Sequence, residues 1–138
     1  MICELLLIAI MQVETGGHPD PLNALGDNKA SVGCMQIQLG VIKDVNRVYK
    51  TNYTAIDRRF KKQSFDIATK YLTYWGKVYE NKTGQKATHE IFARIWNGGA
   101  YGWRKTGKVK SNLDKYVAKV TKQIQLLTES REKNDPSK

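Results

Sequence analysis

Glu14 is the residue in this chain that the surrounding sequence does least to accommodate. It ends a stretch, residues 2–15 (ICELLLIAIMQVET), that is apolar on nearly every side. A carboxylate there loses hydration, so its protonated form is favoured and its pKa rises. A carboxyl that keeps its proton near neutral pH can give it to a leaving group, which makes Glu14 a candidate general acid. Two uncharged amides follow downstream, Gln36 in Gly33-Cys34-Met35-Gln36-Ile37 and Asn97 in Trp96-Asn97-Gly98-Gly99. Amides donate and accept hydrogen bonds without charge, and they leave a raised carboxyl pKa undisturbed where a lysine would lower it. Gly98 lets the backbone approach a ligand closely. Asp27, in Gly26-Asp27-Asn28, is a candidate second acid, although the same tripeptide is also ordinary turn chemistry.

The elements that must hold these residues are helical. The chain has 138 residues, 41% hydrophobic and 26% charged, which excludes wholesale disorder and a collagen-like repeat. The length fits one domain, read as residues 1–128, with a polar, frayed tail at 129–138. The stretch 2–15 reads as a central core helix. Apolar spacing predicts further helices over 39–50 and 63–81, the second closed by Gly84. Another opens at Thr88 and stops at Asn97-Gly98-Gly99. Ser111 and Asp114 resemble a capping box for a final helix striped by Leu113, Val117, Val120, Ile124 and Leu127. Residues 16–32 form a long loop, with room for a short extended piece at 31–38. The fold class is all-α.

Cys3 and Cys34 lack a C-x-x-C spacing and are too few for a disulfide framework, so they read as buried thiols. His18 and His89 are isolated, and the sequence calls for no metal and no cofactor. The formal net charge is +10, unevenly spread. Residues 1–40 carry −3, 41–62 carry +5, 63–103 carry +2 and 104–138 carry +6. A cationic body with its acids near the N-terminus favours polyanionic partners.

Taken in order, Glu14-Thr15, Gly33-Cys34-Met35-Gln36-Ile37, Trp96-Asn97-Gly98-Gly99 and Tyr116-Val117 resemble the lysozyme-like superfamily, in particular SLT-type lytic transglycosylases and goose-type lysozymes. The resemblance runs from about residue 5 to residue 120. It implies cleavage of the β-1,4 bond between N-acetylmuramic acid and N-acetylglucosamine in peptidoglycan, with Glu14 as the general acid. It also implies sugar contacts by Thr15, Gln36, Gln38, Asn97 and Gly98, and a hydrogen bond from Tyr116 that orients Glu14. Tyr101 and Trp103 lie just beyond the Asn-Gly-Gly turn, where exposed rings can stack on pyranoses. Thr15, Cys34 and Trp96 stand where the transglycosylases have Ser, Leu and Tyr.

The two relatives differ after protonation. A lytic transglycosylase needs one carboxylate and leaves a 1,6-anhydro end. An inverting hydrolase needs a second, about 6.5–9.5 Å away, to activate water. Asp27 keeps the goose-type spacing, but a further acid of that family is replaced by Gln38, which can hold water without acting as a base. Transglycosylation is therefore the first expectation, and hydrolysis assisted by Asp27 the second. A basic nucleic-acid-binding helical domain competes with both on the +10 charge and the run Arg58-Arg59-Phe60-Lys61-Lys62. It gives no reason for Glu14, and no specific nucleic acid is expected. An inactive scaffold of the same fold is a further alternative. The run Ile2–Met11 lacks a basic n-region and a cleavage pattern, and is too short to span a bilayer. The expectation is a monomer without membrane insertion or signal peptide, reaching the bacterial wall by phage lysis, a virion or secretion machinery.

Overall fold

The structure, a computed structural model, describes residues 2–16 and 18–137. Among them are five α-helices: α1 (Glu4–Thr15), α2 (Leu39–Tyr49), α3 (Lys61–Thr83), α4 (His89–Gly98) and α5 (Gly107–Lys133). The only sheet among the described residues is a two-stranded antiparallel one, β1 (Leu25–Gly26) with β2 (Ser31–Val32), in which Leu25 faces Val32. The fold is all-α.

α1 is central but not buried all round. Leu6, Leu7, Ala9 and Ile10 form its buried stripe, whereas Glu4 and Gln12 reach solvent and Leu5, Ile8 and Val13 are half-buried. α5 and α4 pack against one another and α5 against α1, while α3 carries α2 and α4 on its sides. The shared core includes Leu6, Ile10, Met35, Ile37, Ile67, Leu72, Ile95 and Val120. Fully burying an aliphatic side chain of this kind stabilises the fold by about 1.5–3 kcal/mol.

Helix boundaries follow their local chemistry. α3 stops where Gly84 takes φ 70°, and α4 starts where the Thr88 hydroxyl accepts from the Ile91 amide at 3.4 Å. The capping box expected at Ser111 does not form, because α5 has already begun at Gly107. Asp114 instead pairs with Arg94 of α4 at 2.7 Å and with Lys110 at 3.1 Å. The capping box that does form joins Thr54 and Asp57, at a 3₁₀ turn over Ala55–Arg59 that the sequence reading did not anticipate. α5 also continues through the polar stretch to Lys133, past the boundary drawn at residue 128. Cys34 is buried, but Cys3 is half-buried, with its sulfur 3.6 Å from His89 Nε2.

The long loop holds a 3₁₀ turn at Pro21–Asn23 and the β1–β2 pair, and contacts from elsewhere in the chain fix its shape. Only Ser31 and Val32 of the extended piece pair as a strand, and Val32 bridges back to Ile37. Arg58 fills the space behind this turn. Its guanidinium donates to the carbonyls of Ala55 at 2.8 Å, Ile37 at 3.0 Å and Ala30 at 3.3 Å, and the residue is 9% exposed. Gly33 fits only because it lacks a side chain, since a Cβ at its φ of 86° would strike the Arg58 carbonyl. Arg59 donates to Asn23 Oδ1 at 2.9 Å. The basic run at 58–62 is thus not a free cationic patch, because its first two arginines are structural.

Arg58→Met should destabilise the protein by about 3 kcal/mol, since it removes three donated hydrogen bonds, one of them buried, that tie the loop to the 3₁₀ turn. Arg59→Gln should change stability by less than about 1 kcal/mol. Urea unfolding of the two variants checks the difference.

Candidate functional site

Glu14 lies in the last turn of α1, half-buried, and Tyr116 of α5 donates its hydroxyl to Oε2 at 2.8 Å. The carboxyl is pushed up to about 7. Burial is the main cause. The Tyr116 hydrogen bond opposes it by stabilising the ionised form, and the negative charge of Asp27 adds to it. Tyr116 is itself raised, by burial and by Glu14, so it stays a neutral donor.

Glu14 opens onto a cleft of about 300 Å³. One wall is the loop after α1, which contributes Gly26, Asp27, Ser31, Gln36 and Gln38. The other carries Val41 of α2, Tyr71 of α3 and Trp96, Asn97 and Gly99 from the end of α4. Gln36 holds a left-handed conformation, φ 52°, and uses its amide nitrogen internally, donating to the carbonyls of Gly33 at 2.9 Å and Ala24 at 3.2 Å. A Cβ on Gly26 would collide with Gln36 Oε1, so Gly26 is the space in which that amide fits. Asp27 accepts from Ser31 Oγ at 2.6 Å and from Gln38 Nε2 at 3.3 Å. Trp96 donates its indole N–H to the Met35 carbonyl at 3.2 Å and meets Tyr71 edge to face at 5.9 Å. The Tyr71 phenol is pushed up to about 12, by burial first and then by Asp44, and so presents a neutral hydroxyl.

Glu14, Asp27, Gln36, Gln38 and Asn97 come together in this cleft, with Tyr116 behind Glu14. Four residues expected to bind substrate do not line it. Thr15 is 5% exposed, and its hydroxyl donates to the Cys34 carbonyl at 2.8 Å and the Met11 carbonyl at 3.2 Å. It ties α1 to the loop instead. Gly98 backs onto Leu113 of α5, and the neighbouring Gly99 lines the cleft in its place. Tyr101 and Trp103 belong to a separate aromatic cluster. Tyr101 packs on Trp75 at 5.7 Å under the Arg104 guanidinium, 4.1 Å above its ring, and Trp103 packs on Tyr79 at 5.1 Å. Their ring faces are taken by protein groups.

The sequence reading missed Tyr71, Ser31 and Gly26 as site residues. Tyr71 sits in an ordinary apolar stripe of α3, and nothing in its spacing marks it as facing a cleft. Trp96 was noted only as a substitution within a motif. Among the described residues no cluster of three or more His, Cys, Asp or Glu side chains has the arrangement of a metal site, and no helix is long and apolar enough to cross a membrane. No protein-family model and no curated protein matches this chain.

The raised carboxyl makes stability depend on pH with a definite sign. In the unfolded chain Glu14 ionises near 4.5, and in the fold near 7, so stability is lost as pH rises across that window. The loss is about 3 kcal/mol at most. Glu14→Gln removes it. The stability of this variant relative to the parent should therefore swing in its favour by up to about 3 kcal/mol between about pH 4 and about pH 8. Denaturant titrations at the two pH values measure it, and a constant difference would place Glu14 in bulk water.

Proposed function

We propose that this protein is a glycan-cleaving enzyme whose cleft takes an amino-sugar strand and whose acid is Glu14. Within that class, the reading best supported is a lytic transglycosylase acting on the β-1,4 bond between N-acetylmuramic acid and N-acetylglucosamine of peptidoglycan. The observation that carries it is a carboxyl with a pKa of about 7, held by Tyr116 at the foot of a cleft of about 300 Å³ lined by amides and aromatic rings. The ordered resemblance of the four motifs to lytic transglycosylases and goose-type lysozymes supports the same class.

The chemistry follows from the proton on Glu14. The carboxyl gives it to the glycosidic oxygen as the bond to C1 of the muramyl sugar breaks, and positive charge develops at C1 and the ring oxygen. The carboxylate left behind then takes the proton from the C6 hydroxyl. The C6 oxygen bonds to C1, and a 1,6-anhydro end forms without consuming water. One residue serves as acid and then base, which a carboxyl poised near neutrality does in both directions. Tyr116 orients the carboxyl and moderates its pKa. Asn97 and Gln38 offer uncharged donors and acceptors to hydroxyl and acetamido groups. The ring pair Tyr71 and Trp96 supplies an apolar side for a pyranose.

One observation favours a second reading. Asp27 lines the same cleft, held by Ser31 and Gln38, where a side-chain oxygen could receive a proton from water. In that case the enzyme is a muramidase that hydrolyses the same bond. Mass spectrometry of digested peptidoglycan separates the two, since transglycosylation leaves anhydro ends and hydrolysis leaves reducing ends heavier by one water. The nucleic-acid reading is weakened by the structural engagement of Arg58 and Arg59.

Glu14→Gln should lower the rate of peptidoglycan clearing by about 10²–10⁴-fold with the fold intact. Activity should fall as pH rises through about 7, because the acid loses its proton. Tyr116→Phe removes an interaction that stabilises the anion, so it should move this alkaline limb to higher pH, whereas Asp27→Asn should move it lower. Profiles of kcat/KM against pH for the three proteins test the assignment.

A further inference from the structure

α5 carries its lysines in a line. Lys108, Lys115, Lys119 and Lys122 are spaced by seven, four and three residues. At 3.6 residues per turn these positions fall within about 60° of arc and span about 21 Å of helix. All four are exposed. Among the described residues none of them has a carboxylate at ion-pair distance, although Lys110, on another side of the same helix, pairs with Asp114. Between Gly107 and Thr128 the only acid is Asp114, and it faces α4, where Arg94 also engages it. The stripe is therefore uncompensated along its whole length. Tyr116, about a quarter turn round the helix, anchors the same segment to Glu14 and so keeps this part of α5 in place.

Aligned, unpaired ammonium groups on a fixed rod suit a linear polyanion. Each is a compact charge on a flexible stem with three rotatable donors, matching phosphate oxygens without demanding a planar partner. The face lacks what a reader of nucleic acid needs. It has no aromatic ring for stacking bases and no arginine fork for base edges, and its other side chains include Ser111 and Asn112. We infer that the lysine stripe of α5 is a docking surface for a phosphodiester chain without bases, a linear polyol-phosphate polymer of the kind carried on bacterial walls. The stripe is defined by charge geometry and stands apart from the chemistry at Glu14. The choice of a wall polymer is in keeping with the proposed function.

The test compares two variants of equal net charge in the full-length protein. One replaces the stripe (Lys108→Gln, Lys115→Gln, Lys119→Gln, Lys122→Gln). The other replaces four exposed lysines elsewhere (Lys43→Gln, Lys50→Gln, Lys77→Gln, Lys86→Gln). Binding to purified polyglycerol phosphate and to single-stranded oligothymidylate is followed at increasing salt. The stripe variant should lose at least about tenfold in affinity for polyglycerol phosphate, and the steepness of log K against log salt should drop by about 3. The control should lose less than about threefold. Equal losses in both variants would overturn the proposal in favour of diffuse charge. Stripe-dependent binding confined to oligothymidylate would overturn it in favour of a nucleic-acid partner. Cleavage of short soluble glycan oligomers should be the same in the stripe variant and the parent, so a failure of the catalytic reading shows in the parent alone and leaves the binding comparison intact.

Discussion

The contact between Glu14 and Tyr116 is the constraint around which this molecule is arranged. It joins residues 102 positions apart, one at the last turn of α1 and one in α5. A carboxyl withdrawn from water without a partner costs about 1–3 kcal/mol or more, and an ionised one costs several times that. The fold handles this in two ways. It lets the group keep its proton to about pH 7, and it supplies one neutral donor that serves either protonation state. The packing of α1 against α5, and of α5 against α4, fixes the 2.8 Å approach of the hydroxyl. A shift of α5 by one turn would break it.

The opposite wall is built by cross-ties rather than by regular structure. Thr15 holds the loop to α1, Trp96 holds Met35 to α4, and Arg58 gathers three carbonyls from behind. Backbone strain collects in the same place. Of the five non-glycine residues with positive φ among the described residues, four are Asp27, Asn28, Lys29 and Gln36, in or beside the cleft. Each such residue costs on the order of 1–3 kcal/mol, and the strain persists only where surrounding contacts over-determine the backbone. Two of the strained residues, Asp27 and Gln36, share one cleft with the perturbed carboxyl.

Charge divides along the same lines. Glu14 and Asp27 sit at the cleft, where burial first and the charge of Asp27 after it raise the pKa of Glu14, while Lys108, Lys115, Lys119 and Lys122 of α5 are exposed, with no carboxylate at ion-pair distance among the described residues. Exposed charges more than about 10 Å apart are largely screened, so a cationic exterior does little to the pKa of a distant buried carboxyl.

Helix existence, the all-α class and the raised pKa of Glu14 were legible in one dimension. They depend on the period of apolar residues, on Gly84 and Thr88 as local stop and start signals, and on a charged group placed in an apolar run. These are short-range effects that any fold must respect. What the chain alone left open depended on partners distant in sequence. Arg58 reads as part of a basic run, and only its three carbonyls make it internal. Thr15 and Tyr101 have the right types for binding, yet the Cys34 carbonyl takes the hydroxyl of one and Arg104 covers the ring of the other. Tyr71 looks like any core residue until packing sets it beside Trp96 at the cleft. Periodicity tells which side of a helix is apolar, but which apolar side meets a groove is decided when helices pack, because that choice is made by neighbours in space.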